Sequence, residues 1–343
     1  MAKKKKKVAV KGPDSVGTKQ RPVHTEILVR PIHRGVNDIG SWRSALRLAD
    51  LGNRTKLYDL FTDLLIDGYL SDAIDKRIDA VTDADLAFTI DGKQVDEMDA
   101  LMDTPEFESL LREIMLSRFW GVSLVECLFL DGFGFKSIPR KHIRTKTKEI
   151  AIREEDEHGI PYADNDLIIQ FGSDDDFGIL LRAAPFVIYK RGGFGDWAQF
   201  VELFGMPQRI GKYSSMDEQS RRALIQAFEE AGSAPYLVIP KETEATQTTL
   251  SSSGNGALYN DFRNACNEEI LITVLGQTMT TQDGSSLAQG QVHMAVQEKK
   301  HRADRRFVER MLNKYFVPLL EKRGYPAGGG RFKFLDKAQE ISV

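Results

Sequence analysis

Two runs of carboxylates come closest, among the residues of this chain, to a metal-binding pattern. Residues 154–157 and residues 174–176 are runs of adjacent Asp and Glu side chains. Carboxylate oxygens are the ligands that hard cations such as calcium and magnesium prefer. Neither run has the Asp-x-Asp-x-Asp-Gly spacing of a calcium loop, and acidic runs in loops are usually solvated instead. The sequence therefore predicts no metal site and no cofactor.

Other residue types that could do chemistry have the wrong spacing. The HExxH, GxSxG and GxxxxGK[ST] patterns are missing from the sequence, so a zinc peptidase, a hydrolase elbow and a phosphate loop all lack their residues. Gly192, Gly193 and Gly195 form a glycine-rich stretch, but it follows two basic residues rather than a clear strand. His293 and His301 share a predicted helix but lie eight residues apart, about 12 Å along its axis, which is too far for one metal. The prediction is a protein that is not an enzyme.

Charge is distributed unevenly along the chain. Residues 1–30 hold nine Lys and Arg against two Asp and Glu, whereas the remainder holds 38 basic and 48 acidic residues. A protein that grips duplex DNA with its folded body normally presents a basic surface, because phosphate neutralisation supplies most of the affinity. The acidic body argues against a groove-reading protein, but not against a channel in which DNA must slide.

The cysteines and the apolar runs indicate a reducing compartment and no membrane span. Cys127 and Cys266 are far apart within apolar segments, which favours two buried thiols over a disulfide. No apolar run approaches the roughly 18 residues that a membrane span requires. The lysines after Met1 are not followed by an apolar stretch, so no signal peptide is predicted.

Apolar periodicity in the first half predicts a mixture of helices and strands. Residues 41–81 show helical spacing, with Gly68 as a stop and Ser71 as the N-cap of the next helix. A short strand is predicted over 86–90 and a helix over 105–119. The fold class expected is therefore α+β.

The second half is more helical, with a β-α-β pattern inside it. Strand patterns at 209–213 and 236–239 flank a capped amphipathic helix. Apolar residues repeat every four positions over 258–275, which predicts a strong amphipathic helix ending at Gly276. A polar stretch precedes a long helix over 292–323 whose first part is charged almost all round.

Three motifs in this half carry a family resemblance. DWAQFVELFGMPQRIGKY at 196–213, VIP at 238–240 and VLGQTMTT at 274–281 closely resemble the portal proteins of Mu-like tailed phages, in this order and spacing. Upstream, the helix around Arg77 is similar to an early helix of that family with a central arginine. The resemblance covers roughly residues 55–323.

The resemblance implies a structural role in the virion. Portal proteins form a ring, of twelve subunits in this family, at one capsid vertex. The ring is the channel for packaging and ejecting double-stranded DNA and the attachment point for terminase and tail. The implied partners are further copies of the chain, DNA, the terminase large subunit, the major capsid protein and a head-tail adaptor, with no membrane. The implied location is the capsid portal vertex, after assembly in the host cytoplasm.

Laid on this sequence, the portal plan gives a domain layout in which the crown is reduced or absent. The expected segments are a disordered basic arm (1–25), wing (26–178), first stem helix (179–205), clip (206–245), linker (246–257), second stem helix (258–275), tunnel loop (276–291), long wing helix (292–323) and C-terminal tail (324–343). Gly192 and Gly193 would interrupt the first stem helix, each at about 1 kcal/mol relative to alanine, so a break or kink is expected there.

The same plan assigns two sets of site residues. The DNA-facing residues of the tunnel loop would be Thr278, Thr280, Thr281, Gln282, Ser285, Ser286 and Gln289. A loop that touches moving DNA needs polar contacts without fixed cations, because each retained phosphate contact hinders sliding, and the only charge between 276 and 291 is Asp283. The clip residues that contact the motor or adaptor would be Arg209, Lys212, Tyr213 and Glu218.

Two functions from other classes stay open on the sequence alone. A virion-associated, metal-dependent nuclease is supported only by the acidic runs, and it predicts DNA cleavage that requires a divalent cation. A monomeric DNA-binding assembly factor is supported by the basic arm, and it predicts salt-sensitive DNA affinity without a closed ring.

Overall fold

The computed structural model describes residues 22–29, 38–130, 132–204, 209–214, 217–230, 236–241, 252–277 and 287–335. The chain divides into two compact units, one formed by Met1–Pro185 with Glu269–Val343 and the other by Phe186–Glu268. Helices and small sheets occur together, which confirms the α+β class. In the described part of the chain, no helix is both long enough and apolar enough to cross a membrane.

The first unit begins with helices and short strands. Its helices before residue 180 are α1 (Ile39–Asp50), α2 (Thr55–Leu64), α3 (Gly68–Thr82), α4 (Asp96–Met102) and α5 (Pro105–Trp120). Its strands in the same region are β1 (Leu86–Ile90), β2 (Lys93–Gln94), β3 (Val122–Leu128), β4 (Gly134–Ser137), β5 (Ile143–Arg144), β6 (Glu149–Ile150), β7 (Ile160–Pro161) and β8 (Ile168–Gly172). The strand predicted over 86–90 and the helix predicted from 105 are confirmed.

Helix starts in this unit follow side-chain capping. The Asp67 carboxylate accepts the backbone N–H of Leu70, so α3 begins at Gly68. The prediction of Ser71 as the N-cap is wrong, because the acidic cap four residues earlier starts the helix first. Thr104 caps α5 in the same way, through a hydrogen bond from the N–H of Phe107.

The basic arm ends earlier than expected. Val23–Thr25 form a short 3₁₀ turn that is held by the buried Glu126 carboxylate. That carboxylate accepts the backbone N–H groups of Val23 and His24 at 2.8 and 3.0 Å and lies 2.6 Å from His24 Nδ1. The predicted disordered boundary at residue 25 is therefore too late, and residues 1–21 lie outside the described part of the chain.

The C-terminal segment completes the core of the first unit. Strand β11 (Arg331–Phe334), within the predicted tail, pairs antiparallel with β1, placing Phe332 opposite Phe88. Asn313 holds the other side of β11, because its side chain accepts the N–H of Phe332 and donates to the Phe332 carbonyl. The Phe332 ring stacks on Phe107 at 5.7 Å, and these aromatic side chains are fully or almost fully buried.

The second unit contains most of helix α6 (Leu180–Phe204), which is uninterrupted at Gly192 and Gly193. The predicted break at these glycines is wrong. A Cβ atom built on Gly193 would lie 2.9 Å from the Phe262 ring, whereas one on Gly192 would contact nothing within 4 Å. Gly193 therefore permits a close approach of Phe262, which is a packing role rather than a break in the helix.

The β-α-β pattern of the second unit is confirmed. Strands β9 (Arg209–Tyr213) and β10 (Tyr236–Pro240) are parallel and in register from end to end, with helix α7 (Glu218–Glu230) between them in the chain. Asp217 caps α7 by accepting the N–H of Ser220 at 2.9 Å.

The last helices start earlier than predicted. Helix α8 (Ser252–Leu275) begins inside the predicted linker, and helix α9 (Leu287–Met311) begins inside the predicted loop, so both boundaries are corrected. A π-helical turn, Leu312–Phe316, joins α9 to α10 (Val317–Lys322). Pro318 explains that turn, because proline has no N–H for a regular α-helical bond and its ring clashes with the carbonyl four residues earlier.

Candidate functional site

The predicted DNA-facing loop is described only at its two ends. Residues 278–286, which include six of the seven proposed channel residues, lie outside the described part of the chain. The seventh, Gln289, has helical backbone within α9, so its place in a loop is corrected, while its contact with DNA stays a prediction. The structure does describe where α8 delivers the chain into this segment, and an unusual set of charges surrounds that point.

Helix α8 ends at a glycine in the left-handed conformation. Gly276 has φ +81° and donates its N–H to the carbonyls of Leu271 and Ile272, at 3.2 and 3.0 Å. A Cβ atom at this position would lie 2.7 Å from Cε of Lys300, so a side chain would displace the lysine in addition to straining the backbone. The next residue, Gln277, is buried and donates to Gln297 of α9 at 3.1 Å.

Lys300 closes the carbonyl end of α8. Its ammonium donates to the Val274 carbonyl at 3.1 Å and the Thr273 carbonyl at 3.4 Å, where a helix has unsatisfied acceptors and a partial negative charge. Burial lowers the pKa of Lys300 to about 8, and the nearby Arg77 guanidinium acts in the same direction. The lysine is therefore held in place against an unfavourable environment for its charge.

Arg77 reaches the same carbonyl from α3. Its side chain is 3% exposed, and its Nη1 donates to the Val274 carbonyl at 2.9 Å. Its Nε and Nη2 form a bidentate pair with the Asp304 carboxylate, at 2.8 and 2.6 Å. The guanidinium also lies 5.2 Å from the centre of the Phe119 ring.

Asp304 joins this arginine to a second one. Its side chain is completely buried, and it accepts a further hydrogen bond from Nη1 of Arg118 at 2.6 Å. Burial lowers the pKa of Arg118, while the Asp304 carboxylate opposes that shift. Three charge-assisted hydrogen bonds thus stabilise a carboxylate that would be very unfavourable alone in the protein interior.

These groups form what we call the loop-root network: Arg77, Arg118, Lys300 and Asp304 with the Val274 carbonyl. It ties α3, α5, α8 and α9 together where the chain enters the predicted channel loop. The network offers hydrogen bonds and fixed charge but no nucleophile beside a base, so its chemistry is positional. Arg77 was visible in the sequence only through the family resemblance, whereas Arg118, Lys300 and Asp304 were missed. An aspartate at a core-facing position of the long helix was the one available signal.

The predicted clip contacts lie on the β-α-β element of the second unit. Lys212 is exposed and Tyr213 is half-buried at the end of β9, and the backbone of Arg209 begins that strand. Glu218 forms ion pairs with Arg221 and Arg222 of its own helix, at 2.8 and 3.6 Å. The element thus brings the four residues into one small fold, and its assignment as a motor or adaptor surface stays a prediction.

Each acidic run is paired in part with other protein groups, and in the first run Glu154 lies 3.4 Å from the ammonium of Lys141. Asp174 accepts hydrogen bonds from Lys148 and from Gln170, and Arg54 donates to the main-chain carbonyls of Asp174 and Asp176. Across the described residues, no group of three or more His, Cys, Asp or Glu side chains is arranged to hold a metal. These carboxylates therefore give no support to the alternative of a metal-dependent nuclease.

Comparison with known proteins identifies the class to which this chain belongs, the phage portal proteins. Residues 58–342 match the family described as the portal protein of Mu bacteriophage, and the chain belongs to that family. This confirms the resemblance seen in the sequence and extends it almost to the C-terminus.

Two relatives carry the comparison further. The portal protein of Escherichia phage Mu is 29% identical over 140 residues, which are 40% of this chain and 27% of that protein. The Mu-like prophage FluMu protein gp29 of Haemophilus influenzae is 29% identical over 124 residues, 35% of this chain and 24% of that protein. The matched part of the chain therefore spans about a quarter of the length of each relative.

Proposed function

We propose that this chain is a portal subunit, a structural conduit that forms a ring at one capsid vertex and admits double-stranded DNA during packaging and ejection. The observation that carries the proposal is the family match over residues 58–342. Within this proposal the protein guides DNA, while a separate terminase supplies the force. The head-tail adaptor and the major capsid protein are the other proposed partners, and the virion is the proposed location.

The fold supports a portal layout. In this layout the first unit is the wing, α6 and α8 are the stem helices, and β9, α7 and β10 are the clip. The long helix that begins with α9 returns the chain to the wing, since Asp304 and Val308 of α9 are fully buried in the first unit. The element order, helix then β-α-β then helix, is the order that this layout requires.

The segment after α8 is the proposed channel loop. Its composition suits contact with sliding DNA, because it offers hydroxyl and amide groups and one acid but no cation. The loop-root network supports the assignment physically, since a loop that experiences force from DNA requires a fixed base. Arg77 and Lys300 supply that base by holding the last carbonyls of α8.

Ring formation is the direct test of the proposal. Negative-stain images of the purified chain should show closed rings, twelve-fold in our proposal, with a central hole about as wide as duplex DNA. Persistent monomers in every condition, with salt-sensitive DNA binding, would favour the assembly-factor alternative instead. DNA cleavage that depends on a divalent cation would favour the nuclease.

A deletion within the loop tests its role separately. Removal of residues 280–285 leaves Gly276, Gln277 and the start of α9 in place. We expect rings to form as in the unaltered chain, while packaged DNA per particle falls in a complementation assay. Failure of the deletion variant to fold would show instead that the segment belongs to the core.

A further inference from the structure

Helix α9 carries an exposed basic stripe on the side opposite its buried residues. The stripe consists of Lys299, Arg302, Arg306 and Arg310, and all four side chains are exposed. Their spacing of three, four and four residues places them on one helical face over about 16 Å. The fully buried residues of the same helix, Asp304 and Val308, project towards the core.

The stripe has no carboxylate partner within the described part of the chain. No salt bridge there involves any of the four residues, although Arg305 of the same helix is paired with Glu298. Arg310 donates only to the main-chain carbonyl of Arg306, at 3.0 Å. A row of four unpaired cations on a protein whose body is acidic is a surface that attracts an anionic partner.

The same unit presents a surface of opposite charge. Residues 95–111 contain six acidic residues and no basic one. The six, which we call the acidic face, are Asp96, Glu97, Asp99, Asp103, Glu106 and Glu108, on α4, its C-cap and the first turn of α5. Five are exposed and Asp99 is half-buried, and within the described residues no salt bridge joins this face to any cation.

We propose that the basic stripe of one copy docks on the acidic face of the next copy around the ring. The contact is heterologous, because two different surfaces of the same chain meet, and such contacts close into rings when the rotation permits. Complementary charge fixes the orientation of neighbours and disfavours wrong pairings. The inference rests on the proposed portal function and deepens it by naming the surfaces that join the subunits.

A second copy fits the stripe better than DNA does. The channel loop of the proposed portal lacks cations, and four fixed cations facing the duplex would retain phosphates and hinder sliding. The acidic face would repel DNA, whereas it attracts the basic stripe of a second copy. One contact between copies accounts for both unpaired surfaces at once.

Reciprocal charge reversal tests the contact. The stripe-reversed variant is Arg302→Glu with Arg306→Glu, and the face-reversed variant is Asp103→Lys with Glu108→Lys. A matched control, Lys93→Glu with Lys333→Glu, changes the net charge like the first variant but at exposed positions outside both surfaces. Unfolding midpoints establish that each variant folds, and analytical ultracentrifugation with negative-stain images measures ring assembly.

We expect each reversed variant alone to need a protein concentration at least about tenfold higher to form rings, because like charges then face each other. An equimolar mixture of the two should recover rings, since every neighbour pair can again be complementary, and so should a single chain with all four substitutions. The control should assemble like the unaltered chain, whose assembly should weaken with salt.

Three results would overturn the contact. The first is normal assembly of the stripe-reversed variant; if that variant also loses salt-dependent binding to a short DNA duplex, the stripe is a nucleic-acid surface. The second is failure of both variants without recovery in the mixture, which would show that the surfaces do not meet. The third is absence of rings from the unaltered chain. That result would overturn the portal proposal itself, whereas the first two results overturn only the contact between the stripe and the acidic face.

Discussion

The loop root of the first unit and helix α7 of the second unit both contain arginine–carboxylate pairs, but the two pairs differ in how far their side chains are buried. The Arg77 and Asp304 side chains are 3% and 0% exposed, whereas those of Arg221 and Glu218 are 42% and 57% exposed. Exposed charges keep their hydration and are screened by salt, so such a pair stabilises little. Buried charges have lost their hydration, so each depends on its partners. The same residue types therefore fix the loop root in one unit and contribute little to stability in the other.

The largest effect is expected from breaking the buried pair. Arg77→Met leaves Arg118 as the one described residue in a salt bridge with Asp304, and it removes a donor from the Val274 carbonyl. We expect a loss of about 3–5 kcal/mol in the free energy of unfolding, measured by urea denaturation. The double variant Arg77→Met with Asp304→Leu should lose less than the sum of the two single changes, because the unpaired buried charge is gone. A loss below about 1 kcal/mol for Arg77→Met would contradict the described network.

Two glycine substitutions compare packing within the second unit. Gly192→Ala adds a methyl group in open space within a continuous helix, so it should stabilise by up to about 1 kcal/mol. Gly193→Ala places the methyl group against Phe262, and it should be less stable than Gly192→Ala by about 1–2 kcal/mol. Thermal unfolding of both variants measures the difference. Equal stabilisation by both changes would show that the Phe262 ring can move aside without loss of stability. Destabilisation by Gly192→Ala would instead support the predicted break in the helix at this glycine.

The pH dependence of stability tests the lowered pKa of Lys300. Its pKa falls from an ordinary value of 10.5 to about 8 in the folded protein, chiefly through burial, with Arg77, Arg118 and Arg182 adding to the shift and Asp304 opposing it. Between these values the unfolded chain binds more protons than the folded one, so this lysine makes stability rise as pH increases from about 8 towards 10.5. The difference in unfolding free energy between the unaltered chain and Lys300→Met should show that rise. A flat difference across this range would contradict the shift.

The smallest effect is expected on α7. Glu218→Gln removes both exposed ion pairs of this residue and should change the free energy of unfolding by no more than about 0.5 kcal/mol. The measurement is the same urea denaturation, repeated at high salt, where even this difference should shrink. A loss as large as that of Arg77→Met would remove the contrast between the two regions.

Much of the architecture was predictable from local patterns. The strand over 86–90, the helix from 105 and the β-α-β element follow from apolar periodicity and turn residues, which act over a few positions. Boundaries were less predictable, because caps compete: Asp67 rather than Ser71 begins α3. The low helix propensity of glycine predicted a break at Gly192 and Gly193, and that prediction was wrong. Packing of Gly193 against Phe262 outweighs the local weakness of glycine in a helix.

The candidate site was predictable only in part. The loop residues and the family came from contiguous motifs, which a sequence displays directly. The loop-root network depends on contacts between residues that are distant in the sequence. Asp304 is separated by 227 positions from Arg77 and by 186 positions from Arg118. No local pattern encodes which distant arginine will face a given aspartate.

The sequence by itself determined the fold class, the family and the polar character of the segment after α8, because composition, periodicity and short motifs are properties of neighbouring residues. Only the tertiary structure decided that the segment starts from a buried charge network and that one unit carries a basic stripe and an acidic face with no ion-pair partner among the described residues. The physical reason is desolvation and proximity. The meaning of a charge depends on whether water or another charge surrounds it, and folding alone settles that.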